Sequence, residues 1–160
     1  MSIFPLLCRA RSPLRRAPVA LAAVLVALGS LAAADLNPAA IKIKLPADIK
    51  WVTQPSGIEE AVLYGDPTKP GLYIILGKWG PHKMSHPHFH PNDRYITVIS
   101  GTWWVGTGTK YDPESTRPVP AGSYVTHFAK QVHYDGAKDG EVVIQVVGQG
   151  PETATNAELK

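Results

Sequence analysis

The sequence has very little cysteine. Its single residue of this type, Cys8, lies ahead of an apolar run near the N-terminus, a position that does not suit lipidation. With no second thiol the chain cannot form an internal disulfide, so a packed core or a bound metal must stabilise the fold. Helical periodicity is lacking as well, since no stretch after residue 34 repeats its apolar residues every 3.6 positions.

The N-terminal segment has the composition of a secretory signal. Residues 9–16 contain four arginines, residues 17–33 form a run rich in Ala, Leu and Val, and three alanines at 32–34 offer a cleavage site before Asp35. The run is short and alanine-rich for a transmembrane helix; an uncleaved anchor is the alternative. We therefore expect a signal peptide at residues 1–34, a periplasmic or secreted protein, and no stable membrane span after cleavage.

An excess of positive charge is also missing once that segment is set aside. The whole chain has 16 basic and 13 acidic residues, and four arginines but no acidic residue lie in residues 1–34. The remaining 126 residues therefore carry 12 basic and 13 acidic side chains, a net charge of −1, without a basic cluster. This composition argues against nucleic-acid binding, and the length is typical of one domain.

Short strand-like runs separated by Gly, Pro and Asp turns make up most of what remains. Regularly spaced short strands indicate an all-β sandwich or barrel, and a small barrel has room for one small ligand or a metal. The runs that predict strands are 58–63, 71–78, 95–100, 102–106, 123–127 and 141–147.

Segments on either side flank this predicted barrel at residues 58–148. The N-terminal lead-in at 35–57 contains an alternating stretch, 41–45, which predicts an edge strand with outward lysines. The segment 149–160 is predicted to be a polar tail that is mobile or crosses the barrel mouth, with no chemical role.

Two histidine-containing blocks are the candidate functional motifs. The first reads GPHKMSHPHFHPNDRYITVISG from Gly80 and contains His88 and His90; the second reads GSYVTHFAKQVHYDGA from Gly122 and contains His133. Strand side chains alternate with a period of two, so His88 and His90 point to the same side. A histidine from a distant hairpin, His133, would complete a set of three nitrogen ligands.

The first block resembles the first motif of the cupin superfamily, in which an acidic residue and then a glycine follow a His-x-His pair. His88, His90 and Gly101 match this motif, but Arg94 occupies the acidic position. The second block resembles the second cupin motif through Gly122 and His133. Three positions depart from that motif, where Phe128, Lys130 and Ala137 replace Pro, Gly and Asn.

A second register of the first motif is open. His86 and His88 would then be the pair and Asp93 the acid, but Gly101 falls one residue late. The closing glycine fixes the phase of the following strand and favours the register with His88 and His90. His82 and His86 are then expected at the rim or in solvent.

The resemblance implies an all-β, cupin-type double-stranded β-helix (jelly-roll) barrel, a metal site at His88, His90 and His133, and a homodimer. Neutral imidazoles bind Fe, Zn, Ni or Mn, so the expected cofactor is a divalent transition metal whose identity stays open. Arg94 is permanently charged. It would clamp a substrate anion if it pointed inward, and would pair with Asp93 or Asp135 if it pointed outward. His127 is a candidate general base, fourth ligand or partner of a ligand.

Two functions fit these residues, and whether the protein is an enzyme stays open. One is an exported metal-binding cupin, an oxidoreductase of dioxygenase type or an isomerase or lyase, that acts on a small anionic substrate with Arg94 and His127 as catalytic residues. The other is a metal-free module in which Arg94 and the pocket histidines hold a small anionic ligand without catalysis. The six histidines also suggest a pH-responsive envelope protein as a third reading.

Overall fold

The computed structural model describes residues 35–159, and the predicted signal peptide at residues 1–34 lies outside that range. Within it, no helix has the length and apolar character needed to cross a membrane. The chain divides into two units at residue 41: the described residues 35–41 belong to the first unit and residues 42–159 to the second. In the described part of the first unit, the Asn37 carbonyl accepts hydrogen bonds from the backbone N–H groups of Ala40 and Ile41. All strands described below lie in the second unit.

Residues 42–159 form strands joined by turns, with two short 3-10 turns at Pro46–Asp48 and Pro113–Ser115. The strands are β1 (Val52–Thr53), β2 (Glu59–Tyr64), β3 (Gly71–Trp79), β4 (His88–Phe89), β5 (Arg94–Ser100), β6 (Thr102–Thr107), β7 (Arg117–Pro120), β8 (Tyr124–His127), β9 (His133–Gly136), β10 (Val142–Gly150) and β11 (Thr155–Asn156). One antiparallel sheet has the order β1-β2-β3-β10-β5-β8, and the other has the order β11-β4-β9-β6-β7. The prediction of an all-β fold is confirmed.

The core lies between the two sheets and follows the alternation of the central strands. On β5, Ile96 and Val98 are buried, and they pair in register with Val146 and Ile144 of β10. Trp103 of β6 joins the same cluster from the other sheet. Burying each of these large apolar side chains contributes roughly 1.5–3 kcal/mol.

The outer face of the six-stranded sheet is also partly apolar. Tyr95, Ile99 and Tyr124 are exposed there. The structure contains one chain, so the homodimer stays a prediction.

The predicted edge strand at 41–45 is wrong. The edge of the six-stranded sheet is β1, and residues 41–45 form no ladder. Pro46, which has no N–H to donate, begins a 3-10 turn directly after this segment. The Nζ of Lys44, rather than a backbone group, bonds to the Val62 carbonyl of β2 at 2.9 Å. The alternating apolar residues therefore stay exposed instead of packing on the core.

Candidate metal centre

The two sheets enclose a cavity of about 580 Å³. Most of its wall is apolar and comes from β3, β5, β6 and β10. Polar side chains line the rest, namely Gln54, Ser56, Glu60, Ser85, His86, His88, His90, Arg94, His127, Asp135, Glu152 and Asn156. The cavity therefore combines apolar and polar walls, as small-molecule sites do. The part formed by His88, His90, Arg94, His127, Asp135 and Glu152 is called the polar end below.

Three histidines meet at the polar end because β4 and β9 are neighbours. His88 is the register partner of His133, and His90 follows two residues later. The ring centroids are 4.5 Å apart for His88 and His133, 4.9 Å for His88 and His90, and 5.3 Å for His90 and His133. Each ring offers one nitrogen, and these nitrogens lie within 4.8 Å of one another.

Backbone carbonyls fix the orientation of all three rings. The Nδ1 atoms of His88, His90 and His133 lie 2.7, 3.0 and 3.0 Å from the carbonyl oxygens of His86, Thr153 and Gln131, respectively. A carbonyl oxygen can only accept, so each Nδ1 carries the proton and donates it. Each Nε2 therefore keeps its lone pair, which is the tautomer that a metal ligand needs.

Burial keeps the imidazoles of His90 and His133 neutral. Desolvation, and next the nearby charge of Arg94, lower the pKa of His90 to about 2. Desolvation lowers the pKa of His133 to about 4, although Asp135 acts in the opposite direction. Neutral imidazole is the form that binds a metal, so His90 and His133 need no deprotonation at neutral pH.

His127 lies beside this group in a different environment. Its ring centroid is 3.7 Å from that of His133 and 5.3 Å from that of Trp103, and the residue is 7 % exposed. Within residues 35–159 neither of its ring nitrogens has a hydrogen-bond partner. Burial, and next His133, lower the pKa of His127, so the ring is neutral. One nitrogen of this neutral ring can accept a proton.

Arg94 points into the cavity. It is the first residue of β5 and pairs with His127 of β8, and its side chain is 12 % exposed. Its Nη1 donates to Nε2 of His90 and lies 3.2 Å from Oε1 of Glu152. Among the described residues, no ion pair joins Arg94 to Asp93 or Asp135, so the outward salt bridge does not form. Asp93 instead accepts a hydrogen bond from the backbone N–H of Ala129. Of the two predicted orientations, the structure therefore shows the inward one.

Glu152 is a cavity residue that the sequence analysis missed, because the tail was expected to have no chemical role. The structure places its side chain in the cavity beside Arg94. Gly148 of β10 pairs with Arg94, so the chain leaves β10 beside the guanidinium and carries Glu152 into the cavity. The hydroxyl of Tyr73 donates to the second carboxylate oxygen of Glu152. The only available signal was that an acidic residue follows the Gly-Pro pair at the end of a predicted strand.

The remaining histidines lie outside this group. His86 is exposed, stacks on Tyr111 with a centroid distance of 4.3 Å, and has its Nδ1 2.9 Å from Oε2 of Glu158. His82 is exposed in a turn with φ +59°. The alternative register that used His86 as a ligand therefore finds no support in the geometry.

Comparisons with known proteins identify the barrel. No family model matches the chain, and no curated protein matches its sequence. Solved structures do match: the polyketide cyclase RemF from Streptomyces resistomycificus superposes with a TM-score of 0.63 at 19 % identity, over 75 % of this chain and 87 % of that one. The cupin-2 domain protein Rru_A2000 from Rhodospirillum rubrum gives 0.55 at 13 % identity, over 72 % and 78 % of the two chains. The chain has the cupin fold. KdgF from Halomonas gives a TM-score of 0.51 at 17 % identity, over 66 % of this chain and 93 % of that one.

The donor set of this barrel fits a divalent transition metal. Nε2 of His133 is buried and has no hydrogen-bond partner among the described residues, although its Nδ1 is bonded. A buried acceptor without a partner is costly unless a ligand satisfies it. One contact opposes binding, because Arg94 donates to the Nε2 that His90 would offer to the metal. Metal binding therefore requires the guanidinium to withdraw from His90.

Proposed function

We propose that this cupin holds one divalent transition metal on Nε2 of His88, His90 and His133 and binds a small molecule in the adjoining cavity. The observation that supports this most directly is the shared tautomer: three Nδ1 atoms donate to backbone carbonyls, which leaves Nε2 as the acceptor nitrogen of each ring, and one nitrogen from each of the three rings lies within 4.8 Å of the others. When bound, the metal supplies Lewis acidity and a template for oxygen-containing ligands.

The side chains around the three histidines have separate roles in this proposal. His127 is buried beside His133, and neither of its ring nitrogens has a partner among the described residues, so it can form a hydrogen bond with a ligand in the cavity. Arg94 can donate to a ligand oxygen. The apolar wall formed by Ile75, Ile96 and Ile144 binds the rest of the ligand and excludes water.

The charges in the cavity favour an uncharged ligand over the small anion that the sequence suggested. Arg94 is paired with Glu152 at 3.2 Å, and Glu60 and Asp135 line the same cavity. Burial raises the pKa of Glu60, with a further contribution from Glu152. An added anion would meet these carboxylates, whereas a neutral molecule with oxygen acceptors would meet the guanidinium and the apolar wall. RemF, whose structure resembles this barrel, is named a polyketide cyclase.

Metal analysis tests the proposal. The purified protein is incubated with iron(II), zinc, nickel or manganese, dialysed and measured by mass spectrometry for metal content. We expect about one ion per chain of at least one metal, and a loss of nearly all of it in His88→Ala and His133→Ala. His86→Ala is the matched control, since that ring is exposed and pairs with Glu158. A folded wild-type protein with far less than one ion per chain for all four metals would overturn the proposal.

The second candidate is the metal-free binding module, which the inward direction of Arg94 favours. Thermal unfolding with small carboxylates and with uncharged ring compounds separates the two. Stabilisation by carboxylates that is lost in Arg94→Gln and does not depend on metal would support the module. Stabilisation by neutral compounds only when metal is present would support the metal centre.

Export is part of the same proposal. It rests on the arginines and the apolar run of residues 1–34. Expression of the full chain in a bacterial host, followed by N-terminal sequencing of the periplasmic fraction, should give a mature protein that begins near Asp35. Recovery of the uncleaved chain from the cytoplasm alone would contradict it.

A further inference from the structure

We propose that Glu152 is the residue that makes this metal centre compatible with Arg94, by neutralising the guanidinium and drawing it away from His90. This inference rests on the proposed function above. It assigns a positioning role to a carboxylate of the C-terminal segment, far in sequence from the histidine motifs.

Arg94 and a bound metal would compete for one atom, Nε2 of His90. Nη1 of Arg94 contacts both Nε2 of His90 and Oε1 of Glu152, whereas Nε of Arg94 is buried and has no partner among the described residues. A guanidinium keeps its charge at all physiological pH values and repels a divalent cation. In this buried pocket, Arg94 needs a counter-charge before a cation can bind beside it.

Glu152 is held in place to act as that counter-charge. Its backbone N–H donates to the Pro67 carbonyl at 2.7 Å, and its carboxylate accepts the hydroxyl of Tyr73, which is 1 % exposed. A Cβ on Gly148 would overlap that hydroxyl, so glycine is needed there for Tyr73 to reach Glu152. The side chain of Glu152 is only 18 % exposed, so solvent screens its charge weakly.

The same segment also orients a metal ligand. The carbonyl of Thr153, the next residue, accepts a hydrogen bond from Nδ1 of His90 at 3.0 Å. Oε1 of Glu152 lies 3.3 Å from the same nitrogen. Two consecutive residues of the C-terminal segment therefore fix the tautomer of His90 and pair with the cation that competes for its Nε2. When Arg94 leaves Nε2, Glu152 is the carboxylate already paired with it and can receive its donors, so the two side chains together add no net charge beside the metal ligands.

A double-mutant cycle on metal affinity tests this role. Dissociation constants are measured by competition with a chelator for the wild type, Glu152→Gln, Arg94→Gln and the double variant. We expect Glu152→Gln to weaken binding about 10–100-fold, the range for partners that support metal ligands. Arg94→Gln should tighten binding, and in its background Glu152→Gln should change affinity less than about threefold, because the charge to be neutralised is gone.

Matched variants separate this role from general damage to the segment. Glu158→Gln removes a carboxylate of the same segment that pairs with the exposed His86, and it should leave metal affinity unchanged. Arg94→Gln alters no residue of the segment, so its tighter binding tests the proposal even if Glu152→Gln folds poorly. An unchanged affinity in Glu152→Gln, or an equal loss with and without Arg94, would overturn the inference while leaving the metal site intact. A wild type that binds no metal would instead overturn the proposed function, and this role with it.

Discussion

The two sides of the polar pocket satisfy their buried groups in different ways. On the β4–β9 side, His88 and His133 each donate Nδ1 to the carbonyl of the residue two positions earlier. On the opposite side, Tyr73 reaches a carboxylate 79 residues away in sequence. His127 lies between the two sides, and no partner for its ring nitrogens occurs in the described chain. Local bonding thus fixes His88 and His133, whereas His90, which donates to the distant Thr153, and the charged side depend on how distant segments are placed.

The largest expected effect is a steep loss of stability in acid, and it arises on the histidine side. The folded-state pKa values of His90, His127 and His133 lie below the ordinary value of 6.5, mainly because of burial. The unfolded chain therefore binds more protons, and stability that is complete above about pH 6.5 is lost as the pH falls toward 4. Each proton contributes about 1.4 kcal/mol per pH unit, so the slope reaches at most about 4 kcal/mol per pH unit.

Urea unfolding of the metal-free protein between pH 7 and 4.5 measures this slope. Glu60 acts in the opposite sense because its pKa is raised, but it counts for one proton at most against three. His127→Phe should reduce this slope by about 1.4 kcal/mol per pH unit, because one of the three titrating rings is removed. A free energy of unfolding that stays constant from pH 6.5 to 5 would show that these rings are not buried as neutral groups.

The difference between locally bonded residues and residues placed by distant strands also explains which parts of the fold and of the site could be predicted from the sequence. The long strands β3, β5 and β10 begin within one residue of their predicted starts, because each has an apolar face repeated over several residues. The two-residue β4 and β11 have no such pattern, since their partners define them. The histidine set followed from period-two alternation and two motifs. Glu152 could not be predicted, since its place depends on β10 lying beside β5 so that the chain emerges at Arg94.

A sequence pattern can also predict a strand that does not form, when its apolar residues have no surface to pack against. Residues 41–45 alternate as a strand does, but Pro46 and the bond from Lys44 to Val62 hold them without a ladder. Alternation predicts which face would be buried and does not supply a surface to bury it against. The orientation of Arg94 was undecidable for the same reason, because its partner lies on a segment placed only by the tertiary fold.

An intermediate effect should follow from Tyr73→Phe, which removes the hydroxyl that holds Glu152. A hydrogen bond to a charged group contributes about 1.5–3 kcal/mol, so we expect the free energy of unfolding to fall by about 2 kcal/mol. Metal affinity should fall as well, since Glu152 loses an anchor. Tyr111→Phe is the control, because Tyr111 stacks on the exposed His86. If both variants lowered stability and metal affinity equally, the hydrogen bond between Tyr73 and Glu152 would have no particular role.

The smallest expected effect separates His127 from its neighbours. Because both of its buried ring nitrogens lack a partner in the part of the chain that the structure describes, the imidazole carries a desolvation cost that a phenyl ring of similar shape would avoid. His127→Phe should therefore raise the free energy of unfolding of the metal-free protein by about 1 kcal/mol at pH 7, whereas His133→Phe, which breaks the bond to Gln131, should lower it. Thermal and urea unfolding measure both variants. If His127→Phe were as destabilising as His133→Phe, His127 would belong with the hydrogen-bonded histidines, and the contrast between the two sides would no longer hold.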